Sequence, residues 1–516
     1  MIRLGPVFRG VVTSYAFLFV NGLTLFVLTP LLLRFLGQEG FGLWTAYMSV
    51  AGYLGLLNFG LGVAATKYTA AYQAEGRREE LNEVINGVFW LFALIGVALI
   101  AVTVAFSPLA PKLFHASPPI VRAGQVAFAV LGVAVALRLT ANVFGSVVYG
   151  VERVDAYKAL AGLQVVLYVG LCALFLYLGW GIVGVSAALL VSNAVLLVAY
   201  RWFLWKSIPW IHIKPKLVDR AVLKSILPYS LRSFWLSLTA RIINQTDVLV
   251  IGAFMGPKAI TSYALAYTLI FSVGYASSAM AEVVFPRFAR MYAEGHEDRL
   301  RTEYLRVARL GGAIGMVATV SLALTGESFI SFWVGPENFV GNKVFSVFLV
   351  FLMLGAVATP AGLVLQAAGQ NKQFAISETM NAVLNLGLSV ILVRTLGTFG
   401  VAIATVVAVS LTSLWYGAVL ATRLLRLPMS IYLRQAVLRP IAAGAPAAAA
   451  GYLVRHLFRD VPLPLGIVTV CGAVALTYVA SAYLWVLSSE ERGVVRRSVR
   501  TTIMKSWNHA RTGKSH

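Results

Sequence analysis

Acidic residues are scarce in this chain: 20 Asp and Glu stand against 42 Lys and Arg in 516 residues, a formal net charge of +22. Charge of either sign makes up only 12%, while hydrophobic residues make up 59%. A soluble core of this size would be split by longer polar linkers. There are two cysteines, Cys172 and Cys471, both inside apolar runs. They offer no disulfide framework and no metal site. Six histidines are scattered, mostly in loops, and there is no HExxH, no P-loop and no nucleophile elbow. An ATP-driven pump is therefore unsupported. The expectation is a protein that is not an enzyme and carries no metal or cofactor. A basic excess can mean nucleic acid, but here the basic residues lie between apolar runs and in the tail, the pattern of membrane orientation. No nucleic-acid partner is expected.

What the chain does have is apolar runs of roughly 20 residues, long enough to cross a bilayer, from end to end. Fourteen spans are predicted, near 10–33, 41–66, 84–107, 123–150, 159–178, 182–200, 225–253, 259–285, 310–333, 344–368, 374–393, 398–421, 435–454 and 463–487. The run from Gly10 to Leu33, preceded by Arg3 and Arg9, is too long for a signal peptide and lacks a small-x-small cleavage site, so it is kept as the first span.

The stretch Leu36 to Leu81 is written twice. Moved forward by 219 positions, Leu36 and Gly37 fall on Met255 and Gly256, Trp44 on Tyr263, Gly55 on Gly274, and Ala70 on Ala289. Ala74, Glu75 and Gly76 fall on Ala293, Glu294 and Gly295; Phe114 falls on Trp333 and Gly150 on Gly369. After a three-residue slip, Gly181 and Gly184 fall on Gly397 and Gly400. A period this long is a duplicated half rather than a solenoid unit. The fold expected is all-α and polytopic: two parallel six-helix repeats, forming two lobes around a central cavity, plus two extra C-terminal helices. The division is 1–205 for the first lobe, 206–224 for a linker, 225–425 for the second lobe, 426–488 for the two added helices and 489–516 for a basic tail.

Lysine and arginine set the orientation. With the N-terminus inside, the inner segments hold 30 basic residues and the outer loops 8. Both termini are expected in the cytoplasm. The longest outer loop, Ser107 to Arg122, leaves no room for a folded catalytic domain outside. In the tail, Arg492, Arg496, Arg497 and Arg500 fall near one face of a helix. A lipid-surface helix and a frayed tail that merely obeys the orientation rule are both open readings.

Charges inside a bilayer are costly and mark cavities or pathways. Four arginines fall within spans: Arg138, Arg232, Arg241 and Arg439. Arg138 shares a helix face with Asn142, and the second copy has Val357 and Ala361 there. The alternative for Arg138 is pairing with a neighbouring helix for packing. In the seventh span Arg241, Asn244 and Gln245 make one polar stripe at i, i+3, i+4, with Asp247 turned aside. Arg232 lies half a revolution from Arg241 and can snorkel. In the eleventh span Glu378, Asn381 and Asn385 share a face. Asn21 stands alone in the first span, where a helix–helix hydrogen bond competes with a ligand role. Arg439, beside Pro440, reads as snorkelling. Arg138, Asn142, Arg241, Asn244, Gln245, Asn21, Asn381 and Asn385 are thus candidates for binding an anionic head group, with Arg232 a weaker one. Asp247 and Glu378 are candidates for a coupling ion, H+ or Na+, or for counter-charge to an arginine.

The stretches LLNFGLGVAATKY (Leu56–Tyr68) and TDVLVIGAFMGPKAITSYALA (Thr246–Ala266) resemble the polysaccharide-transport branch of the multidrug/oligosaccharidyl-lipid/polysaccharide exporter superfamily. That branch often has Asp at the position of Asp247 and Tyr near that of Tyr263, and twelve or fourteen spans. The resemblance covers nearly the whole chain. It implies a flippase that carries a polyprenyl-diphosphate-linked oligosaccharide from the cytoplasmic to the outer leaflet of the cytoplasmic membrane. Its partners would be that lipid-linked cargo, membrane lipid, and the polysaccharide polymerase and export machinery. The rivals are a cation-coupled drug exporter, a peptidoglycan lipid-precursor flippase and a membrane enzyme. The first two usually carry charge in the first helix, and this chain has none between Arg9 and Arg34. The third needs a large outer loop.

Overall fold

The computed structural model describes residues 6–215, 220–459, 461–489, 491–493 and 496–497. It is helical, with no strand among the described residues. The helices are α1 (Pro6–Leu54), α2 (Leu61–Glu75), α3 (Arg78–Phe106), α4 (Ala110–Leu113), α5 (Pro118–Gly150), α6 (Val154–Tyr177), α7 (Gly181–Ser207) and α8 (Arg220–Met255). Then follow α9 (Pro257–Ala293), α10 (Glu297–Val334), α11 (Asn342–Ala367), α12 (Asn371–Val409), α13 (Gly417–Leu424), α14 (Met429–Tyr432), α15 (Arg439–Leu457) and α16 (Leu463–Trp485).

Helix α1, with 49 residues, is about 74 Å long at 1.5 Å per residue, more than twice a hydrocarbon core. It is two spans, broken at Gly37, whose φ of 66° and ψ of 178° are non-helical. Side-chain contacts give the direction on each side. Phe17 lies under Lys158 near the start of α6, and Phe35 meets Tyr177 at its end. Beyond Gly37, Tyr47 bonds Gly124 near the start of α5, and Thr66 of α2 bonds Ser146 near its end. Helices α5 and α6 are joined by a short turn and run antiparallel, so the chain reverses at Gly37. Helix α12 breaks the same way at Gly397, with φ 61°. Among the described residues ten helical stretches are long and apolar enough to span. Splitting the two broken ones and adding α8 and α9 accounts for the fourteen expected spans.

The duplication is visible in backbone geometry. Gly76 ends α2 and Gly295 ends α9, both at φ 71°. Gly76 N–H bonds Gln73 O and Arg77 N–H bonds Tyr72 O; at the same offset Gly295 N–H bonds Tyr292 O and His296 N–H bonds Met291 O. These are matching left-handed helix ends, which glycine adopts without steric cost. Equivalent loops are also gripped from equivalent helices. Asn82 donates to Trp210 O and accepts from His212 N–H, and Asn86 does the same for His212 O and Lys214 N–H. The linker is thereby held extended along α3. In the second copy Arg301, the counterpart of Asn82, donates to Leu425 O at 2.9 Å.

The chain packs as two compact units. The first comprises Met1–Tyr267, Asn338–Val340 and Glu378–Ala408. Its helices approach closely through small residues: a Cβ at Gly132 of α5 would stand 1.8 Å from Thr103 Oγ1 of α3. The second comprises Thr268–Glu337, Gly341–Ser377 and Val409–His516. There Tyr304 and Tyr432 stack at 5.8 Å, and Tyr432 donates to Val357 O. Helices α15 and α16 are tied by Tyr478 donating to Pro440 O and Ser481 donating to Ala443 O. A Cβ at Gly312 of α10 would meet Ala436 O at 2.5 Å, so the added helices sit on α10 by close backbone approach.

One expectation changes. Arg309, counted as a loop residue, lies inside α10 and is buried at 5% exposure. The polar face of Gln435 and Glu491 gives it partners that hydropathy cannot register. At the start of the tail Glu491 N–H bonds Ser488 Oγ and Ser488 N–H bonds Glu491 Oε2, a capping box. Arg500 lies outside the described residues.

Candidate functional site

Helix α8 carries a polar stripe, with Asp247 turned aside from it. Arg241 and Gln245, one turn apart, both lie against Gly52 of α1: a Cβ there would stand 3.2 Å from Arg241 Nη1 and 3.8 Å from Gln245 Cγ. The absent side chain at Gly52 is what admits the guanidinium. Tyr53 donates to Arg241 O at 3.4 Å, and its hydroxyl pairs closely with that of Thr246. Arg241 and Asn244 are exposed. Asn244 donates to Ala240 O and accepts from Tyr267 Oη at 3.2 Å. Among the described residues no carboxylate pairs with Arg241. Arg241 and Gln245 thus share the approach to Gly52, and Asn244 turns toward Tyr267.

Six residues on, and most of a helix radius away, Asp247 faces inward with 6% exposure. Its Oδ2 accepts from Tyr263 Oη at 2.7 Å and from Thr405 Oγ1 at 2.9 Å; its Oδ1 accepts from Ser389 Oγ at 3.5 Å. Asn385, fully buried, donates to Thr405 Oγ1 at 2.9 Å, which leaves its Oδ1 without a donor. No lysine or arginine pairs with Asp247 among the described residues. A buried carboxylate without a cation is costly. Here it sits beside an unbonded carbonyl oxygen and three hydroxyls. That donor set, all oxygen, fits a proton or a small hard cation. Among the described residues no three His, Cys, Asp or Glu cluster.

Arg138 occupies a separate place. It donates to Gln164 Oε1 at 3.3 Å, and Gln164 donates to Ser192 Oγ and Asn193 Oδ1. Asn193 donates to Ala134 O, closing a network across α5, α6 and α7. Arg138 therefore pairs with a neighbouring helix, but through a neutral amide that leaves its charge uncancelled. Asn142, half-buried, follows one turn on.

The other expected residues divide. Asn385 joins Asp247, and Asn381 is buried on the same helix face, with half-buried Glu378 at its end. Asn21 donates to Phe17 O at 2.8 Å in its own helix. A short amide near a carbonyl one turn back bonds it locally, as polar residues in apolar helices do. The Arg232 side chain lies outside the described residues. Spacing missed Thr405, Ser389, Gln164 and Asn193. Thr405 and Ser389 extend the Asn385 face, which an i+4 continuation along α12 would have reached only for Ser389.

Fold and site together define a polytopic helical membrane protein with an arginine that meets no carboxylate among the described residues and a buried acid on one helix. Residues 8–292, more than half of the chain, match the polysaccharide biosynthesis protein family, and the chain belongs to it. It is 20% identical over 478 residues to the uncharacterised membrane protein EpsK of Bacillus subtilis, covering 92% of this chain and 94% of that one. It is 23% identical over 292 residues to the "Probable low-salt glycan biosynthesis flippase Agl15" of Haloferax volcanii, covering 57% and 60%. Among solved structures, the lipid II flippase MurJ in an inward closed conformation aligns with TM-score 0.70 at 15% identity, over 92% of this chain and 98% of that one. An inward-facing multidrug resistance MATE family transporter of the MOP superfamily aligns with TM-score 0.65 at 21% identity, over 79% and 94%. The fold is that of these transporters.

Proposed function

We propose that this protein is a flippase for a polyprenyl-diphosphate-linked oligosaccharide, moving it from the cytoplasmic to the outer leaflet of the cytoplasmic membrane by alternating access. The observation that carries this reading is Arg241: an exposed, carboxylate-free guanidinium at mid-span, seated against α1 by Gly52. A guanidinium is the side chain best matched to a diphosphate, through paired N–H donors. Arg138, whose partner is neutral, is the second cation. The sugar head crosses among the helices while the lipid tail stays in bilayer. With the basic segments inside, outward movement of the anionic head is favoured by about 2.3 kcal/mol per charge per 100 mV. The Asp247 pocket takes the coupling ion, H+ or Na+. Both termini are cytoplasmic. The cargo is then handed to the polymerase and export machinery. Family membership and the glycan flippase among the relatives support the reading.

The experiment is deletion in the native host followed by extraction of lipid-linked sugars. Accumulation of an intact polyprenyl-linked oligosaccharide with loss of surface polysaccharide is expected, and its mass identifies the cargo. A normal lipid-linked pool together with new sensitivity to cationic drugs would instead establish an exporter.

A further inference from the structure

The first packing unit contains a contact that the duplication makes interpretable. Thr261 Oγ1 donates to Gln38 O at 2.6 Å. A Cβ added at Gly42 would stand 1.8 Å from Pro257 O and 2.8 Å from Thr261 Oγ1. At the 219-residue offset Gln38 corresponds to Pro257, and Gly42 to Thr261. Position 42 therefore touches the counterpart of position 38, and position 38 touches the counterpart of position 42. This reciprocal pattern is the signature of a two-fold contact. The pseudo-two-fold axis of the repeat thus passes between the start of the second span and the start of α9, on the side away from the basic segments.

Neighbouring groups reinforce it. Gln38 donates to Asn338 Oδ1 at 3.0 Å, in the loop that follows α10. Glu39 Oε1 accepts from Ser117 N–H at 2.6 Å, in the corresponding loop of the first copy. Consecutive residues thus pin the equivalent loops of both copies to one point. The contact is symmetric in position but not in chemistry. One half is a hydroxyl-to-carbonyl bond. The other is a backbone approach that no residue with a side chain tolerates, because the atom met is backbone and cannot swing aside.

We infer that Gly42 and Thr261 form the latch that closes the outer end of the transport path, with Gly42 setting how closely the second and eighth spans meet and Thr261 holding them there. These are positioning residues: neither belongs to the Arg241 or Asp247 sites. The inference rests on the transport reading for its purpose, but its readout does not need the cargo. A substituent at 42 acts as a wedge and favours the state open to the outside. Loss of the hydroxyl at 261 weakens closure without a wedge.

The experiment uses the full chain with Cys172 and Cys471 replaced by Ala and one reporter, Ser49→Cys. Ser49 lies two turns further in on the face of Gly42 and is buried at 2% exposure. Labelling by a membrane-impermeant thiol reagent is measured from each side in cells and inverted vesicles. The parent is expected to label weakly from outside. Gly42→Ala should raise outside labelling several-fold, and Gly42→Val further, with transport reduced. Thr261→Val should raise it about twofold to fivefold, while Thr261→Ser, which keeps the donor, should match the parent. Unchanged outside labelling in Gly42→Val overturns the latch, whether transport is kept or lost. Raised labelling in Thr261→Ser equal to that in Thr261→Val also overturns it, since a bulk effect would then account for both. Raised labelling in the wedge variants alongside a normal lipid-linked glycan pool in the deletion strain leaves the latch standing and removes the glycan reading alone.

Discussion

The two copies share a scaffold and divide the chemistry. Helix ends, chain reversals and loop grips recur at fixed offsets, down to the same hydrogen bonds at Gly76 and Gly295. The ionisable groups within the spans do not recur. The counterpart of Asp247 is Leu28, and that of Thr405, at the slipped offset of 216, is Leu189. The counterpart of Arg138 is Val357, buried at 1%. One copy holds a buried acid among hydroxyls; the other holds a cation on a neutral amide. The difference teaches that the fold does not require either group. An intramembrane charge persists against its desolvation cost where it has work to do. If the proposed ion site lies in the second copy and part of the proposed anion site in the first, each can be altered separately.

The sharpest break in the comparison is Asp247→Ala. Tyr263, Thr405 and Ser389 would lose their shared acceptor, and each hydrogen bond to a charged group is worth about 1.5–3 kcal/mol. Transport should fall by about a hundredfold. Asp247→Asn keeps the volume and removes the charge, and should abolish dependence on the coupling ion. Vesicle uptake under a sodium gradient and, separately, a proton gradient checks both points. Transport that keeps its ion dependence in Asp247→Asn would place coupling elsewhere.

This site shows how far the sequence could be read. Asp247 was visible because a carboxylate in an apolar run stands out, and Asn385 because it lies on a polar helix face. Thr405 was not, since a single hydroxyl 158 residues away is ordinary in a membrane helix, where it can satisfy itself on the preceding turn, as this one also does with Val401 O. The fourteen spans were legible from hydropathy and the repeat from glycine positions. The partners of Arg138 were not, because Gln164 and Asn193 carry no charge and signal nothing alone. Asn21 is the converse case: a lone amide looks unpartnered in sequence, while its N–H donates to Phe17 O one turn back.

A smaller effect is expected at the cations, and it should be graded between the copies. Arg241→Ala removes an open guanidinium and should lower transport about tenfold to a hundredfold, the scale of one or two charge-assisted hydrogen bonds. Arg241→Lys keeps the charge but not the paired donors, and should recover part of it. Arg138→Gln should cost only a few-fold, because half of this arginine's role is to satisfy Gln164. Initial rates of lipid-linked glycan translocation, normalised to membrane protein, rank the three. Equal losses at Arg138 and Arg241 would show that the copies share the anion site evenly.

The smallest effect tests what the added helices contribute to the second copy alone. Arg309 corresponds to Trp90, which is 37% exposed in the first copy. In the second copy the position is buried and held by Gln435 at 3.1 Å and Glu491 at 2.6 Å, while Arg306 approaches Glu491 at 3.2 Å. Burial works against the Glu491 carboxylate, but the Ser488 N–H and Arg309 outweigh it and hold its pKa below the ordinary 4.5. A carboxyl lowered on folding adds stability that is present above its ordinary value and is lost as pH falls through the folded value. Thermal stability in detergent should therefore fall as pH is taken below about 4.5, and Glu491→Gln should flatten that part of the dependence. At neutral pH the substitution should cost about 1–2 kcal/mol, since Arg309 keeps Gln435 but loses its charged partner. Transport should stay within twofold of the parent, because neither Arg309 nor Glu491 is among the partners of Arg241 or Asp247 described above. A transport loss as large as that of Arg241→Ala would mean that the added helices take part in the cycle, and the division of labour would then run among three parts of the chain rather than two.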